Sequence, residues 1–151
     1  MPQSLSRVVV HIVFATKYRH PFLVDEKIRS EMHAYIGGTC NEMQCPVLTV
    51  GGVADHVHIL CALSRNVPIA KLVCDIKRGS SKWVKTKGGL LTKFAWQNGY
   101  AVFSVGEDGV ERLRSYIRGQ EEHHRKKIFQ EEYRSFLNEF GVEYDERYVW
   151  D

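Results

Sequence analysis

A chain of 151 residues with a formal net charge of +3 is sized for one domain, able to bury about two thirds of its unfolded surface without covalent staples. No apolar run reaches the ~18 residues of a membrane span, and Met1 to Arg7 is too short and polar for a secretion signal, so the sequence predicts a soluble cytoplasmic protein. Cys40, Cys45, Cys61 and Cys74 show no Cys-x-x-Cys spacing and no pairing pattern, which reads as small core residues or idle thiols in a reducing compartment.

Charge is unevenly spread. From Arg65 to Lys93 eight lysines and arginines face the single Asp75, whereas residues 107–151 carry twelve acids against eight bases. The middle of the chain is therefore a basic patch.

Arg7 to Thr16 is rich in β-branched residues and reads as a central strand, followed by the polar break Lys17-Tyr18-Arg19-His20-Pro21. Asp25 is placed to cap a helix whose apolar positions Ile28, Met32, Tyr35 and Ile36 repeat at helical spacing, with Gly37-Gly38 as its stop. Val47 to Val50 forms a short strand that turns through Gly51-Gly52 into Asp55-His56-Val57-His58-Ile59-Leu60-Cys61-Ala62-Leu63, giving a hairpin.

Pro68 opens a second helix packed through Ile69, Leu72, Val73, Ile76, Ser80, Trp83 and Val84 and stopped by Gly88-Gly89. Lys71, Arg78, Lys82 and Lys85 follow a separate stripe on it, so most of the basic patch is one helical face. Phe94 to Trp96 and Tyr100 to Val105 read as short strands around the tight turn Gln97-Asn98-Gly99. Asp108 and Glu111 stand in capping-box spacing ahead of a third helix, on which Tyr116 and Gln120, four apart, share a face. A last helix, Phe129 to Phe140, precedes a tail that folds back.

The order β-α-β-β-α-β predicts an α+β fold: a ferredoxin-like antiparallel sheet with helices on one face and an added C-terminal, tyrosine-bearing helix across the other. Residues 1–128 form the main domain and 129–151 a helical extension packed on it.

Alternation along a strand sends His56 and His58 to the same side of the sheet. Two neutral imidazoles side by side suit one divalent cation with positions to spare. The Gln120 carbonyl would complete a three-point site for a hard ion such as Mg²⁺ or Mn²⁺, able to bind a phosphate oxygen and steady a leaving alkoxide. Tyr116, with an ordinary pKa of about 10, is a weak nucleophile until polarised, yet its phenolate leaves readily, so a phosphotyrosine bond stores the ester for reversal.

Asp55-His56-Val57-His58 and Tyr116-Ile117-Arg118-Gly119-Gln120, with Ile76 to Trp83 and Trp96 to Val105 between them, resemble the one-tyrosine HUH transposases. These small enzymes move insertion sequences as single-stranded DNA and have relatives associated with repetitive extragenic palindromes. The resemblance runs from about Arg7 to His124. It implies that His56, His58 and Gln120 hold the divalent ion and that Tyr116 attacks a phosphodiester, leaving a 5′-phosphotyrosine and a free 3′-hydroxyl. It implies a homodimer in which the tyrosine helix can serve the partner's histidines through the loop Gly106 to Gly109. The substrate it implies is a DNA hairpin flanked by single strands, with Lys71, Lys77, Arg78, Lys82 and Lys85 as candidate phosphate contacts.

Two other readings fit the same residues: a hairpin DNA or RNA binder that kept the fold without the reaction, and an unrelated His-x-His hydrolase of small phosphoesters. His11, His20, His33, His123 and His124 read as structural or surface residues. Of these, His123 or His124 is placed to reach towards DNA.

Overall fold

The computed structural model describes residues 2–124 and 127–151. Four strands, β1 (Val9–Ala15), β2 (Val47–Val53), β3 (His56–Ala62) and β4 (Ala101–Val105), form one antiparallel sheet in the order β2-β3-β1-β4. The helices are α1 (Glu26–Glu42), α2 (Ile69–Lys85), α3 (Val110–Arg118), the single turn α4 (Gln120–His123) and α5 (Phe129–Glu139). Among the described residues no helix is long and apolar enough to cross a membrane.

Strand alternation divides the molecule into two unlike faces. Val10, Ile12 and Phe14 of β1 and Val57, Ile59 and Cys61 of β3 pack against Met32 and Ile36 of α1 and Leu72, Val73, Ile76 and Val84 of α2. This is the main core, and the two long helices cover it. The opposite face presents His11, His56 and His58, together with Val13 and Ala15 packed under Phe129, Tyr133 and Leu137 of α5. Val9 and Leu60 lie under Val110 and Ile117 of α3. Helices on both faces thus enclose the sheet, and on this second face three imidazoles are set among apolar strand residues.

Several local signals act differently from the sequence expectation. Helix α1 runs through Gly37-Gly38 because Gly37 lies against β2, where a Cβ would meet Val47 at 3.4 Å. It stops instead where Gln44 takes a left-handed φ of 61° and the Asn41 side chain accepts the Val47 N–H. Strand β2 likewise continues through Gly51-Gly52, and the hairpin turns at Ala54-Asp55.

Phe94 to Trp96 is no strand. A short 3-10 helix, Gly89–Lys93, leads into one isolated bridge between Thr16 and Trp96. Asp108 sits inside the turn Glu107–Gly109 and makes no side-chain cap to α3. The tail does fold back: the Asp151 carbonyl accepts from the Gly99 N–H at 2.8 Å and from Gln97 Nε2 at 3.2 Å. All four cysteines are free, with Cys74 alone exposed.

Candidate active site

His56 and His58 leave β3 on the same side and are both buried. Each ring is gripped from behind. His56 Nδ1 lies 2.7 Å from Asp55 Oδ1, and His58 Nδ1 lies 2.8 Å from Nε2 of His11 on the neighbouring strand β1, where His11 pairs with Leu60 and reaches His58 diagonally. Such partners set which nitrogen faces the site, as second-layer contacts do for metal-binding imidazoles.

Tyr116 and Gln120 do not share one continuous helix. Gly119 interrupts α3, and the chain resumes as α4 at Gln120. Both side chains still reach the imidazoles, because α3 lies close on β2: a Cβ at Gly51 would stand 2.5 Å from the Ile117 carbonyl oxygen. Gln120 Oε1 is 3.1 Å from His56 Nε2, and the Tyr116 ring centroid is 6.0 Å from that of His58. The phenol therefore stands over the imidazoles of its own chain.

At the centre is a residue that the sequence reading passed over. Glu132 of α5 is 1% exposed. Its Oε1 is 2.9 Å from His58 Nε2 and 3.6 Å from His56 Nε2. Its Oε2 accepts hydrogen bonds from the Tyr116 hydroxyl and, at 3.3 Å, from Gln120 Nε2. His123 Nε2, 3.0 Å from the Tyr116 hydroxyl, and His124 Nε2 lie 3.1 and 3.3 Å from the same oxygen. A carboxylate between Phe129, Tyr133 and Phe136 on the apolar face of a helix is the signal that marks it.

Electrostatics follow from this packing. Burial alone would push the Glu132 carboxyl up, but the His124, His58 and His56 imidazoles outweigh it and hold the group well below the ordinary carboxylate range. Burial, followed by the hydrogen bond and charge of Glu132, raises the Tyr116 phenol far above its usual value. The tyrosine rests protonated. Burial also lowers His11 and His58, so both remain neutral at pH 7.

These partners define where the protons sit. An ionised Glu132 accepts only, so His58 donates from Nε2 and His11 donates from its own Nε2 to His58 Nδ1. Gln120 turns its amide nitrogen to Glu132 and its oxygen to His56. Asp55 Oδ1 meets His56 at Nδ1, and Nε2 of the same ring faces the Gln120 oxygen 3.1 Å away.

The donor set fits a divalent ion. Ligand atoms of His56, His58, His124 and Glu132 all lie within 4.8 Å of one another, and the Gln120 oxygen borders them. Imidazole with carboxylate and amide oxygen suits a hard or borderline metal.

The basic stripe lies on the other face of the sheet. Lys71, Arg78, Lys82 and Lys85 are exposed along α2, Lys71 pairing with Asp75 at 3.0 Å. Arg78 and Lys85 line a groove with Trp96, Asn98 and Tyr100. Lys77 is different: its ammonium donates to the carbonyls of Gln97, Asn98 and Gly99 at 2.7, 3.2 and 2.7 Å. Burial lowers its pKa to about 8, which leaves it charged at pH 7 and tied to the loop.

Comparison with known proteins agrees with this architecture. The chain is 29% identical over 116 residues to the transposase for insertion sequence element IS200 of Salmonella typhimurium, covering 73% of this chain and 74% of that one. It is 24% identical over 115 residues to the ISDra2 transposase TnpA of Deinococcus radiodurans, covering 73% and 81%. A crystal structure of a candidate transposase from Deinococcus radiodurans R1 superposes with a TM-score of 0.61 at 22% identity, over 78% of this chain and 95% of that one. The REP-associated tyrosine transposase bound to a REP hairpin gives 0.55 at 11% identity, over 78% and 68%. Residues 4–120 match the family described as "Transposase IS200 like", a span that holds His56, His58, Tyr116 and Gln120 and stops short of Glu132, and the chain belongs to that family.

Proposed function

We propose that this chain cuts and rejoins single-stranded DNA at hairpin-flanked ends through a 5′-phosphotyrosine on Tyr116. The observation that carries the reading is the meeting of the Tyr116 hydroxyl with the imidazole pair around one buried carboxylate, with the Gln120 amide beside them.

His56, His58 and Gln120 are the residues that would hold a Mg²⁺ or Mn²⁺ ion, with Glu132 and His124 able to join them. Such an ion supplies Lewis-acid withdrawal of charge from a phosphate oxygen. Tyr116 supplies the attacking oxygen: its bond to phosphorus forms, the bond to the 3′-oxygen breaks, and that oxygen leaves as a hydroxyl after taking up a proton. Glu132, already accepting the phenol's hydrogen bond, orients the attacking oxygen. Asp55 and His11 keep the two imidazoles aimed. Phe129, 4.5 Å from His56 ring to ring, and Phe136, 5.1 Å from His11, wall the site from water.

Residues 129–151 thus complete the site rather than merely extend the domain. On this reading Lys71, Arg78, Lys82 and Lys85 track the phosphates of a hairpin, the ligand named for one structural neighbour, and the chain works as a homodimer in the cytoplasm.

The test is a covalent adduct. Wild-type protein incubated with stem-loop oligonucleotides bearing single-stranded flanks forms a denaturant-stable complex with Mn²⁺ or Mg²⁺ and none with EDTA. Tyr116→Phe gives none under any condition. Absence of adduct across such substrates would overturn the reading. One contact favours a second reading: Glu132 already supplies negative charge to the imidazoles, as in a binder whose site is retired. Such a protein binds hairpins equally well with or without metal and never forms an adduct.

A further inference from the structure

The Lys17–Arg19 turn has an uncommon backbone. Tyr18 and Arg19, neither of them glycine, sit consecutively in the left-handed region at φ 56° and 55°. Such conformations persist where the surroundings hold them and cluster at functional positions. Here the surroundings do hold them. Thr16 Oγ1 donates to the His20 carbonyl at 2.7 Å, and the Lys17 N–H donates to the Ala95 carbonyl at 2.8 Å. Behind the turn Phe22 meets Phe94 at a tilt, 5.2 Å ring to ring, at the edge of the main core.

The result points an aromatic ring outward. Tyr18 is 86% exposed although Phe22, packed against the main core, lines the same groove. Lys17, Arg19 and Lys93 line the groove around it with Leu90, and no acid lines it. Lys17 Nζ stands 5.3 Å from the Tyr18 ring centroid.

Its position gives the turn a role. Ala95 lines both this groove and the basic groove of α2, so the two adjoin. Thr16 also receives the Asp55 carbonyl, its N–H donating at 2.8 Å, and the Asp55 side chain holds His56. The turn therefore lies beside the basic groove of α2 and is tied through Asp55 to the strand that carries the imidazoles.

We infer that the Lys17-Tyr18-Arg19 turn is a stacking platform for unpaired DNA. Tyr18 takes one nucleobase on its ring, while Lys17, Arg19 and Lys93 meet the flanking phosphates. A single-stranded occupant is favoured because an exposed ring rimmed by cations matches a base with its backbone, and duplex DNA keeps its bases stacked away from such a ring. The inference rests on the single-stranded DNA reading given above.

The experiment measures binding by the full-length chain to one stem-loop oligonucleotide with and without thymidine flanks, by fluorescence anisotropy. Wild type binds the flanked form more tightly. Tyr18→Ala loses about tenfold on the flanked form, the worth of one stacked base, and nothing on the bare stem-loop, whereas Tyr18→Phe behaves as wild type. Unchanged melting temperatures show that the exposed substitutions leave the fold alone. Equal binding of the flanked form by Tyr18→Ala and wild type, or no preference for flanks in wild type, overturns the platform while leaving Tyr116 chemistry untouched. Failure of wild type to bind any stem-loop overturns both readings. Conversion of a dimer to a monomer by Tyr18→Ala, with DNA affinity per chain unchanged, would make this surface a contact between copies and overturn the proposal.

Discussion

Glu132 Oε1 lies 2.9 Å from Nε2 of His58, a carboxylate meeting an imidazole from 74 residues earlier in the chain. The same side chain accepts from the Tyr116 hydroxyl through its other oxygen. One residue of α5, outside the span matched to the family, therefore connects the Tyr116 phenol with the imidazole pair.

Tyr116→Phe keeps the ring and loses the hydroxyl contacts to Glu132 and His123. Covalent adduct formation on denaturing gels should vanish. Affinity for the same stem-loop should stay within about twofold, because the proposed phosphate contacts lie on α2, away from the phenol.

Glu132→Ala removes the buried counter-charge of an imidazole cluster. The expected loss is about 3 kcal/mol in urea unfolding without metal. Mn²⁺ affinity, read by titration calorimetry, should fall about tenfold or more. Glu132→Gln restores the volume but not the charge. It should recover part of the stability and none of the metal affinity.

Gly51→Ala would drive a Cβ to within 2.5 Å of the Ile117 carbonyl oxygen and 2.8 Å of Ile117 Cγ2. Helix α3 must shift, carrying Tyr116 with it. Stability should drop by about 2 kcal/mol, and the rate of adduct formation should fall about tenfold or more from misplacement alone. A variant with wild-type rate would show that the close approach of α3 to β2 does not position the phenol.

Lys77 and Arg78 are neighbours in sequence with opposite expectations. Lys77→Met releases three carbonyls of the Gln97-Asn98-Gly99 loop and should cost about 2 kcal/mol of stability. Arg78→Ala, on the exposed groove, should change stability by less than about 0.5 kcal/mol. Its mark is weaker stem-loop binding, with a salt slope shallower by about 1.

His33 gives a pH signature. Burial, then the Arg29 and His56 charges, lower its pKa from 6.5 to about 4, and its Nε2 has no hydrogen-bond partner among the described residues. Between these values the unfolded chain takes a proton that the folded chain refuses. Stability from this residue is therefore complete above pH 6.5 and lost as pH falls towards 4, by up to about 2 kcal/mol after allowance for partial exposure. His33→Gln should flatten that part of the urea-midpoint profile, leaving the slope from the buried His11 and His58.

Much of the fold is legible because its signals are local. Period-two alternation marks β1 and β3 and places His56 beside His58 before any coordinates are known. The helical stripes of α1 and α2 likewise declare their buried sides, and Asp25 caps α1 as its position suggests, accepting the Ile28 N–H at 3.0 Å. Glycines are read less well. Gly37 and Gly51 look like stops, yet α1 runs through the first and the second admits the Ile117 backbone, and a single residue type cannot say whether its missing side chain frees a turn or admits a neighbour.

The sequence by itself determined the strand alternation, the helix faces and the residue types that suit phosphoryl transfer, since each depends on neighbours a few positions apart. Only the tertiary structure decided that Lys77 holds a loop, that Tyr116 stands over its own chain's histidines and that Glu132 sits among them. Those outcomes depend on where distant segments cross. A carboxylate on an apolar helix face is a cost until the imidazoles it meets are in place, and no local pattern names its partners.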